Sequence, residues 1–67
     1  MKIYTHEVYY DSFGGIHEIL IVCHEDEWCI CIDGIFCDFT TKLELLDFKD
    51  EFVKKSCWRK SIITTSA

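Results

Sequence analysis

Sixty-seven residues with 12 Asp+Glu against 7 Lys+Arg, a formal net charge of −5, describe one small acidic domain and exclude a large enzyme core. At 49% hydrophobic and 15% aromatic residues the chain is too apolar to be a disordered acidic tail, so it is expected to fold. The acidic balance also disfavours phosphate binding, which needs a basic stripe, since Lys54, Lys55, Arg59 and Lys60 make only a cluster near the C-terminus.

Residues 2 to 11 (KIYTHEVYYD) are rich in β-branched and aromatic types and predict a strand. SFGG at 12 to 15 follows as a turn whose glycines accept positive φ. The next run, 16 to 24 (IHEILIVCH), ends in Glu25, Asp26 and Glu27, three charges that do not belong in a core. A third run, 28 to 32 (WCICI), meets Asp33-Gly34, a strong hairpin signal, and the fourth is 35 to 40 (IFCDFT).

After Thr41 the period changes. Thr41-Lys42-Leu43-Glu44 matches a capping box. Leu45, Leu46, Phe48, Phe52, Val53 and Cys57 then recur at helical spacing, which predicts an amphipathic helix over 42 to 58. Acids lie early in it and Lys54, Lys55, Arg59 and Lys60 late, in agreement with the macrodipole; Asp50 to Lys54 and Glu51 to Lys55 are i,i+4 pairs. The fold class is therefore α+β: a four-stranded antiparallel meander with one C-terminal helix packed on one face. Residues 1 to 60 form a single domain and 61 to 67 a frayed tail, in which Ile62-Ile63 offers at most a short strand.

The longest apolar run, 19 to 23, is far short of the roughly 18 residues that span a membrane, and no apolar signal core follows Met1-Lys2. Five cysteines, Cys23, Cys29, Cys31, Cys37 and Cys57, are an odd count for a disulfide scaffold. The expected location is a reducing cytoplasm, with no membrane partner.

Turn geometry assigns the two sheet faces. A two-residue turn at Asp33-Gly34 sets Ile32 opposite Ile35, Ile30 opposite Cys37 and Trp28 opposite Phe39, all on one face. A two-residue turn at Glu25-Asp26 adds Cys23, Ile21 and Ile19, and the Gly-Gly turn adds Val8, Tyr10, His6 and Tyr4, completing the surface the helix covers. The open face then holds Glu7, Tyr9, Asp11, Glu18, Leu20, Val22, His24, Glu27, Cys29, Cys31, Phe36 and Asp38. An apolar patch rimmed by charge marks contact with something.

Between residues 3 and 41 stand eight acids, Glu7, Asp11, Glu18, Glu25, Asp26, Glu27, Asp33 and Asp38, with no lysine or arginine; residues 42 to 67 carry four acids and six bases. Solubility alone does not require excluding cations. Carboxylates two residues apart on a strand stand about 6.5 to 7 Å apart, close to the spacing of backbone phosphates. Rows of them suit a groove lined with Lys and Arg, and binding of that kind is steered and salt-sensitive. Tyr9 and Phe36 are the aromatic anchors expected on the same face.

Other chemistries fare less well. The one close cysteine pair, Cys29 and Cys31, sits mid-strand, and Cys23 faces the helix, so no zinc set with His6, His17 or His24 converges. A Cys29 or Cys31 nucleophile beside His24 would have its thiol pKa raised by the surrounding carboxylates. A chain this short offers paired acids no deep cleft. No catalytic residue, metal or cofactor is expected, and direct nucleic-acid binding is disfavoured by repulsion.

In size and in its cation-free run of acids from Glu7 to Asp38, the chain resembles the small inhibitors made by bacteriophages and mobile elements. It looks like the anti-CRISPR proteins in particular, several of which are compact α/β folds that imitate DNA. The resemblance implies a non-enzymatic inhibitor in the bacterial host cytoplasm, seated on the basic nucleic-acid site of a larger protein or nucleoprotein complex such as a CRISPR effector. The partner-binding set is Glu7, Asp11, Glu18, Glu25, Asp26, Glu27, Asp33, Asp38, Tyr9 and Phe36. The rival expectation is a homodimeric structural or regulatory domain packed through Leu20, Val22, Cys29, Cys31 and Phe36.

Overall fold

A computed structural model of the chain describes residues 2–66, and for 62–66 the course of the backbone alone. Five strands and one helix follow in the order β1 (Lys2–Tyr10), β2 (Ile16–His24), β3 (Glu27–Ile32), β4 (Ile35–Phe39), α1 (Lys42–Ser56) and β5 (Arg59–Ser66). The strands form one antiparallel sheet in the order β4-β3-β2-β1-β5. The α+β meander expected from the pattern is present, and α1 carries the chain from one edge of it to the other.

The two short hairpins set their registers as turn length dictates. Asp33 and Gly34 both take positive φ, at 49° and 89°, and Ile32 pairs with Ile35, Ile30 with Cys37 and Trp28 with Phe39. Glu25 and Asp26 do the same at 47° and 65°, so Cys23 meets Trp28, Ile21 meets Ile30 and Ile19 meets Ile32. Ile19, Ile21, Ile30 and Ile32 are buried, and with Leu45 of α1 and Tyr9 of β1 they make the core.

Strand β1 corrects the expected faces. Tyr10 pairs with Ile16, so the connection is five residues long rather than four, and a one-residue difference flips every side chain. The Asp11 carboxylate builds that loop: its Oδ1 accepts the N–H groups of Phe13 and Gly15, each at 2.8 Å. A Cβ at Gly15 would collide with the same carboxylate. Glu7 and Tyr9 therefore lie under the helix, each only 4% exposed, while His6, Val8 and Tyr10 turn to the open face. Tyr4 does stay on the helix side, because the register shifts between Ile3 and Thr5; its ring packs edge-on against Trp28 at 5.3 Å.

The helix starts where Thr41 Oγ1 accepts the Glu44 N–H at 3.2 Å. It ends at Ser56, two residues before the expected end, because Cys57 adopts the left-handed conformation and Trp58 N–H bonds back to Val53 O at 3.2 Å. Trp58 is thereby turned inward, edge-on to Phe52 at 5.1 Å.

The expected tail is also corrected. Its β-branched residues continue β5 to Ser66 along the otherwise unpaired edge of β1, while Ala67 lies outside the described residues. Among the described residues no helix is long and apolar enough to cross a membrane.

Candidate functional site

The eight carboxylates of the sheet half divide into three groups once the strands are in place. Glu7 is internal. Its Oε1 accepts from the Tyr9 hydroxyl at 2.8 Å and from Lys49 Nζ at 3.2 Å, and its Oε2 from Lys60 Nζ at 3.2 Å. Burial alone would raise its pKa, but the Tyr9 hydrogen bond and the two ammonium groups outweigh it and hold the carboxyl below its ordinary value. Burial and the adjacent carboxylate push the Tyr9 hydroxyl up. Expected as partner-binding, Glu7 and Tyr9 instead tie β1 to α1 and β5.

Asp11 and Asp33 form the second group, one on each side of His17. Asp33 Oδ2 lies 2.6 Å from His17 Nδ1, and Asp11 Oδ2 lies 2.7 Å from Nε2. The imidazole stacks on Trp58 with centroids 4.1 Å apart and planes 10° from parallel. A neutral imidazole has one N–H and satisfies one carboxylate, so this doubly bonded geometry is that of the imidazolium. Hydrogen bonds to Asp11 and then Asp33 raise the His17 pKa. His17 in turn lowers Asp11, with help from the Gly15 and Phe13 amides; burial acts against the lowering of Asp33, but the Glu18 amide and His17 prevail. With both ring nitrogens held, His17 is placed to brace the β1–β2 loop, the β3–β4 turn and the start of β5.

The third group is exposed: Glu18, Glu25, Asp26, Glu27 and Asp38. Glu27 faces His24 across the hairpin and Asp38 faces Cys29, both on the open face, while Glu25 and Asp26 form the turn at the same end of the sheet. Glu18 stands toward the other end, 3.8 Å from His6. Among the described residues, none of the five meets a lysine or arginine.

Between these carboxylates runs a groove of about 700 Å³, floored by Leu20, Val22, Cys29 and Phe36 and edged by His24, Asp26, Glu27 and Asp38. Phe36 is 68% exposed. Burial and the Asp38 carboxylate beside it raise the Cys29 pKa, which keeps the thiol protonated and poorly nucleophilic. A second hollow, between the β1–β2 loop and the end of α1, is lined by Lys54 and Arg59 together with Asp11, which His17 already engages.

Six of the ten expected contact residues thus gather on or beside the open face: Glu18, Glu25, Asp26, Glu27, Asp38 and Phe36. They do not form phosphate-like rows, since Glu25 and Glu27 are the one pair among them two residues apart on the chain; four of the five acids crowd one end instead. The role of His17 and Trp58 was not legible, because neither residue type nor spacing brings them together before α1 returns the chain to β1. No three His, Cys, Asp or Glu side chains among the described residues are grouped to hold a metal ion. No protein-family model, curated protein or solved structure matches the chain.

Proposed function

We propose that the chain is a non-enzymatic binding protein whose acidic open face docks on a basic surface of a larger protein or nucleoprotein complex, occupying a site that otherwise holds nucleic acid. What carries the reading is the combination at one end of the sheet: an apolar groove of about 700 Å³ bordered by Asp26, Glu27 and Asp38, with no lysine or arginine among the described residues against them. Apolar floor and single-sign rim are the anatomy of an interface, the floor for affinity and the rim for steering and choice of partner.

The β2–β3 turn adds a second line of support. Both of its residues sit in the left-handed region, at φ 47° and 65°, where Asn-Gly would fit with little strain. Keeping Glu25 and Asp26 there costs about 1 kcal/mol per residue. Strain of this kind points to a use for the side chains rather than for the turn.

Inhibition of a CRISPR effector, implied by the resemblance in size and charge, is the specific form of this reading. It is tested by capture from bacterial lysate at about 50 mM and about 500 mM salt, a range over which screening shortens sharply. The proposal expects a nucleic-acid-handling complex retained at low salt, released at high salt, and competed away by duplex DNA. The exposed Phe36 and its apolar neighbours also favour the homodimer as a second reading. Sedimentation as a stable dimer, with no captured partner, would replace the first reading by that one.

A further inference from the structure

Among the described residues, strand β4 leaves one side of its backbone without a neighbour. It is the end strand of the sheet, bonded to β3 alone, and its register runs without a bulge from Trp28–Phe39 to Ile32–Ile35. Folded proteins usually guard such an edge by keeping it short or with charge (lysine above all), proline, a bulge or a covering element. The five residues Ile35-Phe36-Cys37-Asp38-Phe39 have no lysine or proline, and their single charge is the acidic Asp38. Ile35 is 75% exposed and Phe36 68%, on opposite faces, so an added strand would find apolar contact above and below. The other edge differs: β5 opens with Arg59 and Lys60, and its pairing with β1 shifts register between Glu7 and Tyr9.

Charge decides the occupant. The edge carries Asp38, with Glu27 and Asp26 beyond it, and neither β3 nor β4 contains a lysine or arginine. A second copy would bring a net charge of −5 against −5 and add a second acidic β4, without a lysine or arginine, to the same edge. An extended segment bearing lysine or arginine meets the opposite condition.

We propose that β4 is a docking edge for an extended cationic segment of the partner, added as a sixth strand with apolar side chains against Ile35 and Phe36 and a lysine or arginine against Asp38. Main-chain hydrogen bonds supply affinity in this mode and the alternating side chains supply choice. The inference rests on the basic partner proposed above and narrows it to a strand.

The test uses the full chain and three synthetic eight-residue peptides: one with lysine at every fourth position and valine elsewhere, so that valine lies on both faces and lysine alternates with it on one, one with glutamate in place of the lysines, and the lysine peptide N-methylated along one edge. Amide hydrogen exchange is read residue by residue. The lysine peptide should bind and slow exchange at the β4 amides that point away from β3. The glutamate and N-methylated peptides should bind at least tenfold more weakly, and Ile35→Lys should weaken the lysine peptide comparably. Equal binding of the N-methylated peptide, or binding that perturbs Leu20, Val22 and Glu27 while β4 exchange stays unchanged, overturns the edge and leaves the acidic open face standing as the docking surface. Failure of the lysine peptide to bind, or pairing of β4 with a second copy, overturns the edge proposal, and the lysate capture then decides the docking surface by itself.

Discussion

Replacing Glu7 by glutamine should be among the most damaging changes of similar size in this chain. The carboxylate is 5% exposed and its partner Lys49 14%, whereas Lys60 is 48% exposed and can turn to water. Glutamine keeps an acceptor for Tyr9 but leaves the Lys49 ammonium enclosed without its counter-charge. Breaking a buried pair in this way costs about 3–5 kcal/mol, and the wetness of Lys60 places the estimate near 3. A domain of this length holds roughly 3–10 kcal/mol in total. With a urea slope near 1 kcal/mol per molar, the midpoint should fall by about 3 M, and the variant is close to unfolded in buffer. The triple variant Glu7→Leu/Tyr9→Phe/Lys49→Met removes the charges and the hydroxyl together, and should return to within about 1 kcal/mol of the parent, since well-packed apolar replacements of buried pairs are near neutral. Urea unfolding of both, beside the exposed control Glu51→Gln, decides the matter. A Glu7→Gln loss no larger than the control's would refute the account of the buried carboxylate.

The protonation states make a further forecast. The raised His17 pKa gives stability that is complete below its ordinary value of about 6.5 and is lost as pH rises through the folded value. The lowered pKa values of Glu7, Asp11 and Asp33 give stability that is complete above about 4.5 and is lost as pH falls through theirs. Thermal melting should therefore be highest between about pH 4.5 and 6.5, and His17→Gln should flatten the alkaline decline; an unchanged slope in that variant would contradict the clamp. Leu45→Ala, at the one fully buried helix position, should cost about 2–5 kcal/mol, while Leu43→Ala, at 70% exposure, should cost under about 0.5; equal losses in urea unfolding would mean that α1 does not dock as described. Glu25→Asn/Asp26→Gly should relieve turn strain and raise stability by about 1 kcal/mol while weakening partner capture, and tighter capture by the stabilised variant would count against a binding role for the turn.

Much of the sheet was legible because two of its turns are two residues long. Asp33-Gly34 and Glu25-Asp26 each fix the parity of the strands they join, and Ile19, Ile21, Ile30 and Ile32 emerged together as the core. The third connection failed that reasoning at a single residue: Asp11 belongs to the loop, through side-chain bonds to the Phe13 and Gly15 amides, and not to the strand. A glutamate beneath the helix also runs against composition rules, and the lysines that make it tolerable lie 42 and 53 residues away. The helix ended early for want of a glycine signal, since Cys57 takes the left-handed cap itself. Which residues share the open face was read correctly for β2, β3 and β4 and wrongly for β1.

Charge reversal tests the central claim most directly. Glu27→Lys/Asp38→Lys places two cations on the open face, and Glu44→Lys/Asp47→Lys makes the same change in net charge on the helix. With both variants shown to be folded by their melting curves, capture of the partner at low salt is measured for each. The account predicts a loss of about tenfold or more for the open-face pair, equivalent to about 1.4 kcal/mol, and little change for the helix pair. Equal losses in the two variants, or none in either, would contradict it.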